Sequence, residues 1–370
     1  MSKTKIITFY LPQYHPIAEN DQWWGKGFTD WQNVAKAKPR YKGHYQPQIP
    51  SELGFYDLRN EETRIAQADL AKEYGIYGFC YYHYWFNGKM LLERPFNEVL
   101  ESKKPDFPFC LCWANENWSR RWDGKDSEIL MEQNYNDYKT DEHINWLINA
   151  FNDSRYIKIN NKPLFLIYNA TGIPGLKKII DDWRRLADQH GLDGLYLSSV
   201  KSIHNKLSDQ DAINMGFDSV VEFIPSSEFI IPRKFWGLPR YYFNKIFNIL
   251  IEKTKLDKLI KTKPLTMVHD YKKFAMMNIN KEKYKVKTFP CVIPSWDNSA
   301  RKIVSASIQN NDPEIFGEWL ADSVSRVSEY NEDEKIVFIN AWNEWAEGCH
   351  LEPDLKNGRL FLNTLKKVLG

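Results

Sequence analysis

Short apolar, β-branched or aromatic runs recur along the chain, separated by stretches in which apolar residues return every three or four positions. The runs are KIITFYL (5–11), IYGFCYY (76–82), FPFCLCW (107–113) and PLFLIYN (163–169), then GLYLSSV (194–200), DSVVEFI (218–224), TFPCVIP (288–294) and KIVFINA (335–341). Runs of this length read as buried strands, and the longer periodic stretches between them as helices. Helical patterns cover 59–73, 93–103, 140–152, 174–190, 312–330 and 359–368. Eight strands alternating with helices predict an α/β fold of the (β/α)8 TIM-barrel type with long βα loops. Near-continuous apolar runs suit parallel strands covered on both faces. A doubly wound open sheet is the rival, and the strand count and the absence of a phosphate loop favour the barrel. One catalytic domain is expected over 1–370, with a basic helical insertion at 230–287 between strands 6 and 7.

Polar and aromatic residues gather where these strands end. Strand 1 runs into Tyr14 and His15, strand 2 into Tyr82, His83 and Trp85, and strand 3 into Trp113, Asn115, Glu116 and Trp118. Glu222 ends strand 6, Trp296 and Asp297 follow strand 7, and Trp342, Asn343 and Glu344 follow strand 8. The carboxyl ends of barrel strands share one face, where barrel active sites lie. Any one of these residues is as readily a capped loop residue, but six strand ends of this kind point to a site. With Trp24, the fifteen non-catalytic residues among them are the candidate substrate contacts.

The candidate chemistry is in NAWNEWAEGCHLEPD (340–354), where Glu344 and Glu347 stand three apart. E-x-x-E is common on solvated helix faces. Here it follows an apolar strand and is flanked by Trp342, Trp345 and His350, and Ala-Glu-Gly favours a turn that aims both carboxylates into one cleft. Two such carboxyls are the minimum equipment for cleaving a glycosidic bond. Composition adds weight: 15% of residues are aromatic, with 14 Trp, 20 Tyr and 21 Phe, many beside His, Asn, Asp or Glu. Rings next to polar side chains suit sugars, whose C–H faces stack while their hydroxyls hydrogen-bond.

Other patterns narrow the function. Gly25-Lys26-Gly27 lacks a third glycine and a preceding strand, so no dinucleotide loop is expected. Asp209-Gln210-Asp211 resembles a metal–nucleotide-sugar D-x-D but sits where a helix begins, which favours N-capping. His15, His83, His204 and His350 lack metal-ligand spacing, Cys349 has no clear histidine partner, and no metal or cofactor is expected. Arg120 and Arg121 read either as contacts to an acidic sugar or phosphate or as exposed ion pairs. Five cysteines without a C-x-x-C pair, an N-terminus that enters a strand at once, and no membrane-length apolar run predict a cytoplasmic location. Net charge is only +2, yet Arg233 to Lys287 holds 15 Lys/Arg against 4 Asp/Glu. Within it, YYFNKIFNILIEKTKLDKLIK (241–261) has apolar residues at helical spacing. It reads either as a solvated insertion or, with the whole 233–287 segment, as a peripheral contact for an anionic membrane or lipid-linked glycan. A glycan substrate and no nucleic-acid partner are expected.

Four long blocks resemble the WbsX-like family, which is related to glycoside hydrolase family 99. They are FYLPQYHPIAENDQWWGKGFTDWQNV (9–34), GFCYYHYWFNGKMLLERP (78–95), FCLCWANENWSRRWDG (109–124) and AWNEWAEGCHLEPD (341–354). The resemblance implies a (β/α)8 barrel acting on glycans, often encoded with surface-polysaccharide genes. Family 99 comprises retaining endo-α-mannosidases and mannanases with an E-W-H-E-G-T motif, whose glutamates match Glu344 and Glu347. The first would help the sugar's 2-hydroxyl attack the anomeric carbon through an epoxide-like intermediate; the second would protonate the leaving oxygen and then activate water. Ala346 and Cys349 stand where the motif has His and Thr, departures that bear on the mannose preference and the subsite contacts but not on the carboxylate pair. The leading expectation is a retaining glycoside hydrolase. The alternatives are a glycosyltransferase or transglycosylase in O-antigen, capsule or lipopolysaccharide biosynthesis, and a non-catalytic glycan-binding barrel.

Overall fold

The computed structural model describes residues 4–225 and 265–370, apart from 121, 123, 124, 137, 282 and 283. Parallel strands form a barrel: β1 (Lys5–Tyr10), β2 (Gly78–Phe86), β3 (Phe109–Trp113), β4 (Lys162–Ile167), β5 (Tyr196–Lys201), β6 (Ser219–Glu222), β7 (Thr288–Phe289 with Cys291–Val292) and β8 (Ile336–Ile339). Each pairs in parallel with the next, and β1 pairs with β8 in the register Ile6↔Val337, Ile7↔Phe338. The ring is completed through β7. Pro290 has no N–H and interrupts that strand. Val220 and Val221 of β6 pair with Thr288 and Phe289 before it, while Cys291 and Val292 after it pair with Phe338 and Ile339 of β8. The Pro290 carbonyl still accepts from the Phe338 N–H at 2.8 Å.

Helices α1 (Glu61–Glu73), α2 (Arg94–Ser102), α3 (Thr140–Phe151), α4 (Leu176–Gln189), α5 (Asp209–Asn214), α6 (Tyr271–Met276), α7 (Pro313–Arg326) and α8 (Leu360–Leu369) fill the connections. Their starts follow local chemistry. Asn60 and Asp312 accept from backbone N–H groups of α1 and α7, and Pro313 occupies the first turn of α7. At α5 the cap is Ser208, whose hydroxyl accepts from the Asp211 N–H at 3.1 Å. The D-x-D therefore forms the first turn, and Asp209 pairs with Lys201 at 2.9 Å.

The core is continuous from barrel interior to helices, with Phe9, Leu166, Val221, Phe338 and Ile339 fully buried. Among the described residues no helix is long and apolar enough to cross a membrane. The amphipathic stretch 241–261 lies outside the described residues. The described remainder of the basic block supplies α6 and, before it, a strand, Leu265–Asp270. That strand pairs with Val304–Gln309, which in turn pairs antiparallel with Trp296–Asp297. This small sheet sits beyond the end of β7 and fixes the loop that carries Trp296, Asp297 and Arg301.

Candidate active site

Beyond β8, Asn343–Glu344 pairs antiparallel with Cys349–His350, and Trp345–Glu347 forms one 3₁₀ turn between them. The hairpin closes because Gly348 takes φ +54. A side chain there would also collide: an added Cβ would lie 2.5 Å from Gln48 Nε2 and 2.9 Å from Asp297 Cβ. Short period and tight closure place both glutamates on the cleft side of one turn. Tyr14 and Asn343 brace it from β1. The Tyr14 hydroxyl donates to the Asn343 carbonyl and accepts from the Trp345 N–H at 3.1 Å, while Asn343 Oδ1 accepts from the Leu11 N–H at 2.7 Å.

Arg301 ties the two carboxylates together. Its Nη2 lies 3.1 Å from Glu344 Oε2 and its Nη1 3.1 Å from Glu347 Oε1. Its other edge is forked on Asp30, with Nη2–Oδ2 at 2.6 Å and Nε–Oδ1 at 3.2 Å. The Asp30 contact is the aligned one; Glu344 Oε2 is close to the guanidinium but makes no hydrogen bond. Burial opposes the charge on Arg301, but Asp30, Glu344 and Glu347 outweigh it and hold its proton more firmly than usual. Burial also dominates at Glu344. With Glu347 and Asp30 adding repulsion against the pull of Arg301, its pKa is pushed up to about 8. Burial thus favours the protonated form of Glu344.

The glutamates open into a cleft of about 260 Å³. Its walls are largely aromatic, from Trp24, Trp118, Trp122, Trp296, Tyr82, Tyr84, Tyr168 and Phe223. Polar groups interleave: Gln13, Asn117, Asn298, Lys302, and Glu116, which pairs with His204 at 3.3 Å. Arg120 crosses the Trp24 ring at 5.3 Å and pairs with Glu128 at 2.6 Å.

Of the fifteen expected contacts, the cleft wall includes Trp24, Tyr82, Glu116, Trp118 and Trp296. The other ten lie off it. Alternation explains two of them: on β2, Tyr82 and Tyr84 face the cleft, so His83 and Trp85 face α3. His83 Nε2 meets His143 Nε2 at 2.9 Å and Trp85 stacks on His143 at 4.5 Å; burial lowers the His83 pKa to about 3. Trp113 is fully buried and donates to the Trp85 carbonyl. Asn115 bonds Tyr135 and Asn169. His15 bonds the Pro12 carbonyl, and burial lowers its pKa to about 4. Glu222 accepts from Tyr284 at 2.9 Å. Asp297 accepts from His44 at 2.6 Å and Gln46 at 3.0 Å. Tyr14 and Trp342 are buried against the hairpin, and Asn343 is buried within it. These ten are outside the lining of this cleft, and Asp297 lines a second hollow next to it.

Asp30 and Arg301 carried no pattern in the sequence; each is one of many charged loop residues. Tyr84 and Tyr168 did carry a signal, since both lie at strand carboxyl ends on the inward face.

A family model described as "Glycosyltransferase WbsX" matches residues 6–365. The chain belongs to the WbsX glycosyltransferase family. Two relatives, each "Uncharacterized protein WxcX" from a strain of Xanthomonas campestris pv. campestris, are 36% identical over 366 residues. That alignment covers 98% of this chain and 49% of theirs, so the WbsX chain spans about half the length of the curated relatives it matches. Among solved structures, one called "Glycoside hydrolase-like protein" aligns with a TM-score of 0.58 at 12% identity, covering 100% of this chain and 94% of that one. A GH99 endo-α-mannosidase from Bacteroides thetaiotaomicron, solved with BIS-TRIS-propane, aligns at 0.56 and 12% identity, covering 98% and 96%. The WbsX fold is thus a family 99-like barrel. Among the described residues no group of three or more His, Cys, Asp or Glu is placed to hold a metal.

Proposed function

We propose that this WbsX protein is a retaining glycoside hydrolase acting on a surface-type polysaccharide or oligosaccharide, with Glu344 and Glu347 as its acid–base pair. The observation that carries the reading is two carboxylates on one turn, sharing Arg301, at the floor of an aromatic cleft. Burial pushes the Glu344 pKa up to about 8, and Arg301 stays charged beside it. A sugar hydroxyl donating to Glu344 favours its carboxylate form, which suits Glu344 to the base role and leaves the acid role to Glu347. Glu344 accepts the proton of the 2-hydroxyl as that oxygen attacks the anomeric carbon, while Glu347 protonates the departing glycosidic oxygen. An epoxide-like sugar results. Glu347, now ionised, removes a proton from water, which opens the ring, and Glu344 returns its proton to the 2-oxygen. Arg301 touches both carboxylates throughout and keeps either anion from standing alone.

The test is mass spectrometry after incubating wild type, Glu344→Gln and Glu347→Gln with an oligosaccharide panel that includes α-mannosides. Product from wild type alone supports the assignment; full activity in both variants removes it. A second reading, glycosyl transfer in O-antigen, capsule or lipopolysaccharide assembly, is favoured by the family's description. The same pair serves it if a sugar hydroxyl replaces water in the second step. Added acceptors separate the two, because transfer gives products longer than the substrate.

A further inference from the structure

A second hollow, of about 160 Å³, lies on the far side of the catalytic hairpin. Trp296 lines both it and the cleft, and Gly348, next to Glu347, forms part of its wall. The division follows from strand alternation. Trp296 and Asp297 are neighbours on one short strand; successive side chains alternate, so Asp297 lines the hollow alone while Trp296 stands between the two spaces.

The lining determines what fits. Asp297 is already engaged by His44 and Gln46, and Asp354 accepts from the N–H groups of Lys356 and Asn357. With both carboxylates committed, a metal cation has no ligand set. A phosphate or uronate would meet these two acids against the single ammonium of Lys356, itself placed 5.1 Å from the Tyr45 ring centroid. What remains is neutral and hydrogen-bonding: Asn311, Gln309 and Ser295, with the partly exposed Tyr45 in the same wall. Donors and acceptors beside one aromatic face suit a pyranose. At roughly 30 Å³ per water, the hollow holds about five waters for a sugar ring to displace.

We propose that this hollow is a second carbohydrate subsite, which binds a neutral sugar residue of the same glycan beyond Trp296. This rests on the reading of the cleft as a glycan site. It implies that longer glycans bind more tightly than a disaccharide confined to the cleft.

The experiment uses the full chain carrying Glu347→Gln, titrated with neutral manno-, gluco- and galacto-oligosaccharides of two to six units and followed by tryptophan fluorescence and saturation-transfer NMR. The same titrations are made after adding Tyr45→Ala or Asn311→Ala, two rim changes on separate loops. Affinity is expected to rise with length for at least one series. Each rim change should remove about tenfold of that gain and leave the disaccharide unchanged. Rim variants that bind every length as before, or weaken all lengths equally, overturn the subsite, as does the absence of length-dependent binding in all three series. If length-dependent binding is lost on the rim changes but wild type cleaves and transfers nothing, the subsite stands and the catalytic reading falls.

Discussion

Arg301 is buried among three carboxylates, and its geometry says which of its atoms matter. The edge formed by Nε and Nη2 is spent on Asp30, which orients the plane so that Nη1 and Nη2 also reach Glu347 and Glu344. Lysine has one point of charge and no fork, so it cannot serve all three groups. Arg301→Lys should therefore fold, with a melting temperature a few degrees lower, yet lose on the order of 100-fold in kcat/KM on whichever glycan is cleaved. Arg301→Ala strands buried carboxylates without a cation and should cost roughly 3–5 kcal/mol in urea unfolding. Wild-type turnover in the lysine variant would mean that the guanidinium fork has no part in the reaction.

At the scale of elements, the hairpin after β8 is held from two sides. Tyr14 bonds its backbone, and Gly348 lets it pack against Asp297 and Gln48. Gly348→Ala forces φ +54 on a residue with a Cβ and drives that carbon into backbone and side-chain atoms. Strain of this kind costs roughly 1–3 kcal/mol, and the turn must shift to relieve it. Activity should fall further than that destabilisation explains, because Glu347 moves with the turn; circular dichroism, thermal melts and kinetics on one preparation separate the two effects. Tyr14→Phe leaves the buried Trp345 N–H without its acceptor and should cost about 1–3 kcal/mol. The strands and the turn were legible because apolar runs and Ala-Glu-Gly encode them locally. The side of the wall on which a strand-end residue falls was less so. On β2 the alternation that separates Tyr82 and Tyr84 from His83 and Trp85 was available and outweighed by residue type. No local pattern marks Asp30 or Arg301, 271 positions apart in sequence, because only the closed barrel brings them together.

For the whole molecule, the buried titratable groups set opposing pH dependences. His15, His83, His143, His269 and His350 are all lowered, with burial the leading cause. The fold therefore binds fewer protons at these sites than the unfolded chain does below about pH 6.5. Stability on their account rises with pH up to that point. Glu344 and Glu352 act oppositely: burial raises them to about 8 and about 7, so the fold keeps protons that the unfolded chain releases near pH 4.5. Each such proton removes stability as pH rises, at about 1.4 kcal/mol per unit, until the folded pKa is passed. Five histidines outweigh two glutamates below pH 6.5, and above it the glutamates act against a background of neutral imidazoles. Thermal midpoints should therefore peak near pH 6.5 and fall toward pH 8. Beyond pH 7 the decline belongs mainly to Glu344. Glu344→Gln, which has no proton to lose, should melt higher than wild type at pH 8 by an amount worth roughly 4 kcal/mol, with an advantage of about 1 kcal/mol at pH 5. Parallel melting profiles for the two proteins from pH 5 to 8 would show that Glu344 is already ionised in the folded cleft. That result would remove the proton placed on Glu344 before a sugar binds and leave its role as the base untouched.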